Sequence, residues 1–155
     1  MDSEVRVYKG EEDVIREIAG KLRRMDRFEL KAVGCRDAEQ GIRQSIAGSM
    51  IVMYMADKNE RPVCIFGISS EVYEQGRVIW CLGTDDIDRH KKEFVKHSRE
   101  ILRWWTAQYG QLFNYVSVQN IKALAWLKRM GAEFHRPFLM NETDIFRMFT
   151  IRGDG

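Results

Sequence analysis

Three β-prone runs in close succession constrain the fold of this chain more than any other sequence feature. The runs cover residues 50–56, 63–69 and 78–83, with polar turns at 57–60 and 75–76 between them. Connections this short cannot hold a crossover helix, so the runs predict an antiparallel meander.

Helical periodicity lies on both sides of the meander. The predicted helices cover 11–25, 37–48, 88–110 and 120–131. Asp37 and Asn120 are typical N-cap residues, and Gly48, Gly110 and Gly131 are typical stops. In the third helix, Phe94, Ile101, Leu102 and Trp105 share one face, which predicts that they are buried and that Trp104 is more exposed than Trp105.

Four further β-runs, at 5–8, 112–118, 132–134 and 145–151, complete the order β-α-α-β-β-β-α-β-α-β-β. A meander followed by two β-α units predicts an α+β fold with a mixed central sheet and helices on both faces. We expect a single domain over 1–152 and a loose tail at 153–155.

Composition excludes several classes of protein. The 155 residues are 45% hydrophobic, enough for a core. The longest apolar run, 50–56, is far shorter than the ~20 residues that cross a bilayer, so we expect no membrane partner. The first 30 residues are charged throughout, which argues against secretion. The net charge of +2, with mixed signs along the chain, argues against a nucleic-acid partner.

No metal site is predicted. Cys35, Cys64 and Cys81 are widely spaced and form no metal-ligand pair. His90 and His97 share a helix face but lie about 10 Å apart along it, too far to bind one ion together.

The start of the third helix is basic. Residues 88–103 hold six Lys or Arg against three Asp or Glu, and Arg89, Lys91 and Lys92 gather at its beginning. Helix N–H groups and cations together suit a phosphate, while a solvated helix end is the alternative interpretation.

The segment after the fifth β-run carries a more specific pattern. Asn120 is followed by a small residue three positions on, an aromatic six on and a glycine eleven on, namely Ala123, Trp126 and Gly131. Good helix capping alone would explain part of it. The pattern resembles the second motif of the GNAT acetyltransferase superfamily, and the element order over 5–151 is also that of the GNAT fold.

A narrower resemblance is to short GNAT-like proteins of tailed bacteriophages, which include an internal virion (core) protein of podophages. The segments that carry it are 22–29, 80–84, 94–99 and 112–116, together with Trp105. This resemblance implies a phage accessory or internal virion protein, located in the host cytoplasm or the virion interior, with other phage or virion proteins as partners.

The GNAT resemblance implies an acetyl-CoA cleft between the fourth and fifth strands, where the backbone of the fourth strand pairs with pantetheine. An active enzyme would also bind an acceptor amine. The implied cofactor-binding residues are Leu82, Gly83, Thr84, Arg89, Lys91, Lys92 and Asn120.

The chain departs from the GNAT pattern at two places. Aligning Arg89 with the first residue of the pyrophosphate loop puts Lys92 and Phe94 at its glycine positions, where a Cβ hinders close backbone approach to phosphates. Leu127 stands where many GNAT enzymes have a tyrosine that protonates the CoA thiolate. Glu71 and Glu74, expected in a loop after the second meander strand, are candidate bases, with a solvated turn as the alternative.

Three functions follow from these observations. The first is a GNAT-fold phage accessory or internal virion protein with a degenerate acetyl-CoA site, in which cofactor binding is weak or absent and falls with salt. The alternative is an active acetyl-CoA-dependent N-acetyltransferase with an unusual pyrophosphate loop. A nucleic-acid-binding module is disfavoured by charge, and no catalytic residue is assigned.

Overall fold

The computed structural model describes residues 3–153, which form one mixed sheet with helices on both faces. The helices are α1 (Glu12–Gly20), α2 (Arg24–Ala32), α3 (Ala38–Ala47), α4 (Lys91–Tyr109) and α5 (Ile121–Arg129), with a 3₁₀ helix at Asp85–His90 before α4. The strands are β1 (Ser3–Val7), β2 (Ser49–Asp57), β3 (Pro62–Tyr73), β4 (Gly76–Gly83), β5 (Leu112–Ser117), β6 (Glu133–Phe134), β7 (Phe138–Leu139) and β8 (Ile145–Ile151). The predicted α+β class is confirmed.

The sheet order is β1-β2-β3-β4-β5-β8-β6, and β7 pairs with β8 beside β6. The predicted antiparallel meander is confirmed as β2-β3-β4, whereas β4 and β5 run parallel. The β3–β4 hairpin is longer than predicted, so Glu71 lies in a strand and not in the expected loop. Gly76 closes this hairpin at φ +112°, where an added Cβ would lie 2.0 Å from the carbonyl oxygen of Gln111.

The two faces of the sheet are covered by different helices. Tyr54 and Ile65 face the first layer, where they pack with Ile18 of α1 and Ile42 of α3. On the opposite face, a larger core joins α4 and α5 to β5 and β8. Since neighbouring strand residues point to opposite faces, the near-continuous apolar runs of β2 and β3 reflect burial on both sides.

The phase of α4 agrees with the sequence analysis except at one residue. Ile101, Leu102 and Trp105 are buried in the α4 core, and Trp105 is 2% exposed against 45% for Trp104. Phe94 is only half-buried and packs with a separate cluster around Ile87. The reason is that Phe94 lies in the first turn of α4, beyond the part of the helix that contacts the sheet core.

The predicted single helix over 11–25 is wrong beyond residue 20. The helix ends at Gly20, and Leu22 instead forms a β-bridge with Thr84 at the end of β4. A separate helix, α2, then begins at Arg24. Main-chain pairing with β4 interrupts the helical pattern. In α2 the one fully buried residue is Asp26, while its apolar residues Met25, Phe28 and Leu30 are half-buried.

No helix within 3–153 is both long and apolar enough to cross a membrane. Asp154 and Gly155 of the predicted loose tail 153–155 lie outside the described residues, so the tail and the boundary at 152 stay predictions.

Asn120 caps α5 as predicted. Its side-chain oxygen accepts a hydrogen bond from the N–H of Ala123 at 3.3 Å, and Gly131 follows the helix at φ +87°. Asn120→Ala should therefore lower the free energy of unfolding by about 1 kcal/mol, measured by urea denaturation.

Asn120→Ser is the control, because serine is also an N-cap residue and should lose less stability than alanine. Equal stability of the wild type and the alanine variant would contradict the capping role.

Candidate functional site

The candidate site is the gap that opens between β4 and β5. The two parallel strands pair only at Arg77–Leu112 and Val78–Phe113, near their N-terminal ends. Just past this pairing, the Asn114 amide donates a hydrogen bond to the Ile79 carbonyl at 2.6 Å. Beyond that point the strands separate, so main-chain groups that a closed sheet would pair face the gap.

Helix α2 bridges the open end of the gap with two carboxylates. Asp26 accepts a hydrogen bond from the backbone N–H of Gly83, at the end of β4, at 2.9 Å. Glu29, three residues later, accepts one from the backbone N–H of Ser117, at the end of β5, at 2.8 Å. Residues three apart lie on the same side of a helix, which lets one helix contact both strand ends.

The edge of β4 is also paired by main chain. The N–H of Arg23 donates to the carbonyl of Gly83 at 2.9 Å, beside the bridge between Leu22 and Thr84. Both main-chain groups of Gly83 are therefore bonded within the chain. The Arg23 guanidinium binds Asp26 through two hydrogen bonds of 2.9 and 3.1 Å, which neutralises this buried carboxylate.

Glu29 has no such cation bonded to it. Burial raises the pKa of Glu29 to about 7, and hydrogen bonds from the Ser117 N–H and the Asn120 side chain oppose the rise only in part. Burial likewise raises the pKa of Asp26, against the opposing effect of Arg23. A carboxyl group that titrates near neutral pH inside a cleft can serve as a proton acceptor or as a buried hydrogen-bonding group.

Inside the gap lies a cavity of about 590 Å³, within the size range of small-molecule sites. Its lining comes from α2, β4, β5, α4 and α5, and it is mostly apolar. The apolar part includes Leu82, Phe94, Ile101, Val116, Trp126 and Leu127, and the polar part includes Arg23, Asp26, Glu29, Asn114 and Asn120.

Three of the residues implied by the resemblance line this cavity, namely Leu82, Lys91 and Asn120. Leu82 contributes a buried side chain, Lys91 stands at an exposed edge, and Asn120 caps α5. A cavity therefore lies beside β4, while binding of acetyl-CoA by these three residues stays a prediction.

The other four implied residues do not line the cavity. Thr84 is buried, and its hydroxyl donates to the Val63 carbonyl at 3.0 Å. The backbone of Gly83 is paired as described above. Arg89 is highly exposed, and Lys92 is exposed on the first turn of α4.

The region that would hold a pyrophosphate has a different architecture. The 3₁₀ helix Asp85–His90 begins with acidic residues, and the Asp88 carboxylate binds Lys122 at 2.8 Å. Phe94, at the second glycine position of the loop, packs its ring on Trp126 with centroids 5.3 Å apart. Side chains therefore occupy the region where glycines would let backbone approach phosphates.

The positions expected to supply a general acid or a general base place no polar side chain in the cavity. Leu127, at the position of the general-acid tyrosine, is 2% exposed in the α5 core and has no proton to donate. Glu71 and Glu74 are exposed at the far end of the β3–β4 hairpin and do not line the cavity.

Arg23, Asp26 and Glu29 were not predicted as site residues. Asp26 and Glu29 follow residue 25, where the predicted first helix ends. A separate helix over 24–32 would have placed both on one side, because residues three apart lie on the same side of a helix. Among residues 3–153, no group of three or more His, Cys, Asp or Glu is arranged to hold a metal ion.

Solved structures with this architecture are GNAT acetyltransferases. A putative phosphinothricin N-acetyltransferase is 11% identical, with a TM-score of 0.71 and 99% of both chains covered. A GNAT-family acetyltransferase from Bacillus anthracis is 10% identical, with a TM-score of 0.68 and 98% of this chain and 96% of that chain covered. Spermidine N-acetyltransferase from Vibrio cholerae, in complex with CoA and spermine, is 11% identical, with a TM-score of 0.68 and coverage of 97% and 95%. The chain has the GNAT fold.

Residues 66–139 match a family model described as "Bacteriophage T7, probable scaffold protein Gp13". The match covers just under half of the chain, from within β3 to the end of β7, and so includes both walls of the gap. A comparison with curated proteins gives no match.

The raised pKa of Glu29 predicts how stability depends on pH. The folded chain holds the Glu29 proton up to about pH 7, whereas an ordinary glutamate loses it near 4.5. Ionisation in the folded state is therefore unfavourable, and the Glu29 contribution to the free energy of unfolding falls as pH rises through this interval. Glu29→Gln should flatten that decline and exceed the wild type in stability at pH 8 by about 2 kcal/mol.

The measurement is urea denaturation at pH 5 and pH 8. Glu142→Gln, in the exposed turn before β8, is the control and should follow the wild type at both values. If Glu29→Gln showed the same pH dependence as the wild type, the titration would belong to another group.

Proposed function

We propose that this chain is a phage accessory or internal virion protein that has the GNAT fold but neither binds acetyl-CoA tightly nor transfers acetyl groups. The observation that carries the proposal is the internal pairing of β4 at Gly83, whose N–H and carbonyl are bonded to Asp26 and Arg23. In the resembled enzymes, this strand edge pairs with pantetheine. A cofactor would have to displace a buried ion pair before it could pair with Gly83, which opposes binding.

The pyrophosphate end supports the same proposal. Asp85, Asp86 and Asp88 stand before α4, and Phe94 fills space beside Trp126. A pyrophosphate would meet like charge and side-chain carbon in place of converging N–H groups. Lys91 and Lys92 could attract it only as exposed charges, an attraction that salt screens.

The phage assignment is supported by the family model for a probable scaffold protein of bacteriophage T7. Its match spans the gap region, including the 3₁₀ helix and the Phe94–Trp126 contact. The partners that this assignment implies are other phage or virion proteins, and the expected location is the host cytoplasm or the virion interior.

N-acetyl transfer is the second candidate function, and one observation favours it. Glu29 is a buried carboxyl group in the cleft with a pKa of about 7, which suits a general base for an acceptor amine. The similar spermidine N-acetyltransferase, solved with CoA and spermine, shows that this fold can hold both substrates. If the chain were active, Glu29→Gln would abolish transfer while leaving the protein folded.

The proposed function predicts that acetyl-CoA leaves the melting temperature nearly unchanged. A ligand present at 100 times its dissociation constant would add about 2.7 kcal/mol of stability, which thermal unfolding detects readily. Spermidine N-acetyltransferase from Vibrio cholerae serves as the positive control. Calorimetric titration at low and high salt should show weak binding that falls with salt, or none.

Two results would contradict the proposed function. One is micromolar acetyl-CoA affinity that salt does not change. The other is acetyl transfer to a polyamine or peptide amine at ordinary enzymatic rates, lost in Glu29→Gln. Either result would establish the acetyltransferase alternative.

A further inference from the structure

We propose that the cavity between β4, β5, α4 and α5 binds a straight-chain amphiphile with one anionic head group, such as a medium-chain fatty acid. The inference rests on the proposed function only in that the same cleft is free of acetyl-CoA. It is carried by the apolar lining of the cavity, its extent along α4, the internal pairing of part of its main-chain wall and the charge at its edge.

The cavity extends along most of α4. The α4 residues that line it include Lys91, Phe94, Ser98, Ile101 and Trp105. At 1.5 Å per residue these span about 21 Å. A cavity of this extent can hold an extended hydrocarbon chain.

Internal hydrogen bonds satisfy part of the main-chain walls. In an open gap, bare N–H and carbonyl groups would call for a ligand rich in amides. Here the groups of Gly83 are bonded to Asp26 and Arg23, and the Ile79 carbonyl is bonded to Asn114. Hydrocarbon side chains make up most of the remaining lining.

The Trp126 part of the aromatic wall is also presented as hydrocarbon, whereas the buried indole N–H of Trp105 has no hydrogen-bond partner among the described residues. The Trp126 indole N–H donates to the Ser98 hydroxyl at 3.0 Å, which directs its polar group to α4. The Trp126 ring packs on Phe94, and Leu127 follows in the same helix. Apolar cavities of this kind take up apolar molecules in preference to water.

One edge of the cavity has an excess of positive charge. Lys91, Lys122 and Asp88 all line it there, and Lys122 binds Asp88 at 2.8 Å. Lys91 supplies the remaining cation at the first residue of α4. A single carboxylate matches this charge, whereas a pyrophosphate would bring a larger charge close to Asp88.

The test is calorimetric titration of the full chain with dodecanoate below its micelle concentration. Dodecyltrimethylammonium, with the same chain and a cationic head, is the comparison ligand. We expect saturable binding of dodecanoate, and binding of the cationic amphiphile about fivefold weaker or more, because it places a cation beside Lys91. Acetyl-CoA is titrated separately under the same conditions.

Two variants, each with a control variant, locate the binding. Val95→Trp adds bulk to a half-buried residue that lines the cavity and should weaken dodecanoate binding at least tenfold, the loss expected from excluding several methylenes. Val72→Trp, on the exposed β3–β4 hairpin, is its control and should leave binding unchanged.

Lys91→Glu should weaken dodecanoate binding about fivefold. Lys128→Glu changes an exposed lysine of α5 away from the cavity and should not weaken binding. Thermal unfolding confirms that each variant is folded.

The outcomes separate the two proposals. Saturable dodecanoate binding that Val95→Trp weakens supports this inference, whatever acetyl-CoA does. No dodecanoate binding, or binding equal in Val95→Trp and Val72→Trp, would overturn it while leaving the proposed function intact. Equal affinity for the cationic amphiphile would overturn the anionic head group. Tight acetyl-CoA binding would contradict the proposed function alone.

Discussion

Two strand ends that part from each other must find partners for their main-chain groups, and in this protein helix α2 supplies them. The N–H of Gly83 reaches Asp26, and the N–H of Ser117 reaches Glu29. The two carboxyl groups are neutralised in different ways. Asp26 pairs with Arg23, whereas Glu29 retains its proton up to about pH 7. The gap between β4 and β5 can therefore persist without any ligand to hold it open.

On the proposed function, this internal pairing separates the fold from the chemistry usually associated with it. The overall fold is shared with GNAT acetyltransferases at 10–13% identity. The resembled cofactor positions depart from the GNAT pattern, because Gly83 is already bonded within the chain and Phe94 stands at a glycine position of the loop. Backbone architecture can persist while the side chains that define a reaction are absent, so function is argued from the site.

The same pairing changes what the cleft can hold. With part of the strand edges satisfied, the cavity presents mostly hydrocarbon, with Lys91 at its rim. Ionisation of Glu29 above about pH 7 places a charge next to that hydrocarbon and lowers the stability of the fold.

Local pattern was sufficient for the meander, for the cap at Asn120 and for the burial of Trp105 rather than Trp104, because each depends on residues close together in the chain. The resemblance to the GNAT pattern identified Phe94 and Leu127 as departures from it. Helix α2 and its carboxylates required the tertiary structure. Asp26 bonds a residue 57 positions away and Glu29 one 88 positions away, so neither contact can be predicted from the neighbouring residues in the chain. Hydrophobic periodicity predicts which side of a helix or strand is buried. It does not predict a polar contact between a helix and two strand ends, because that contact forms only when the strands are in place.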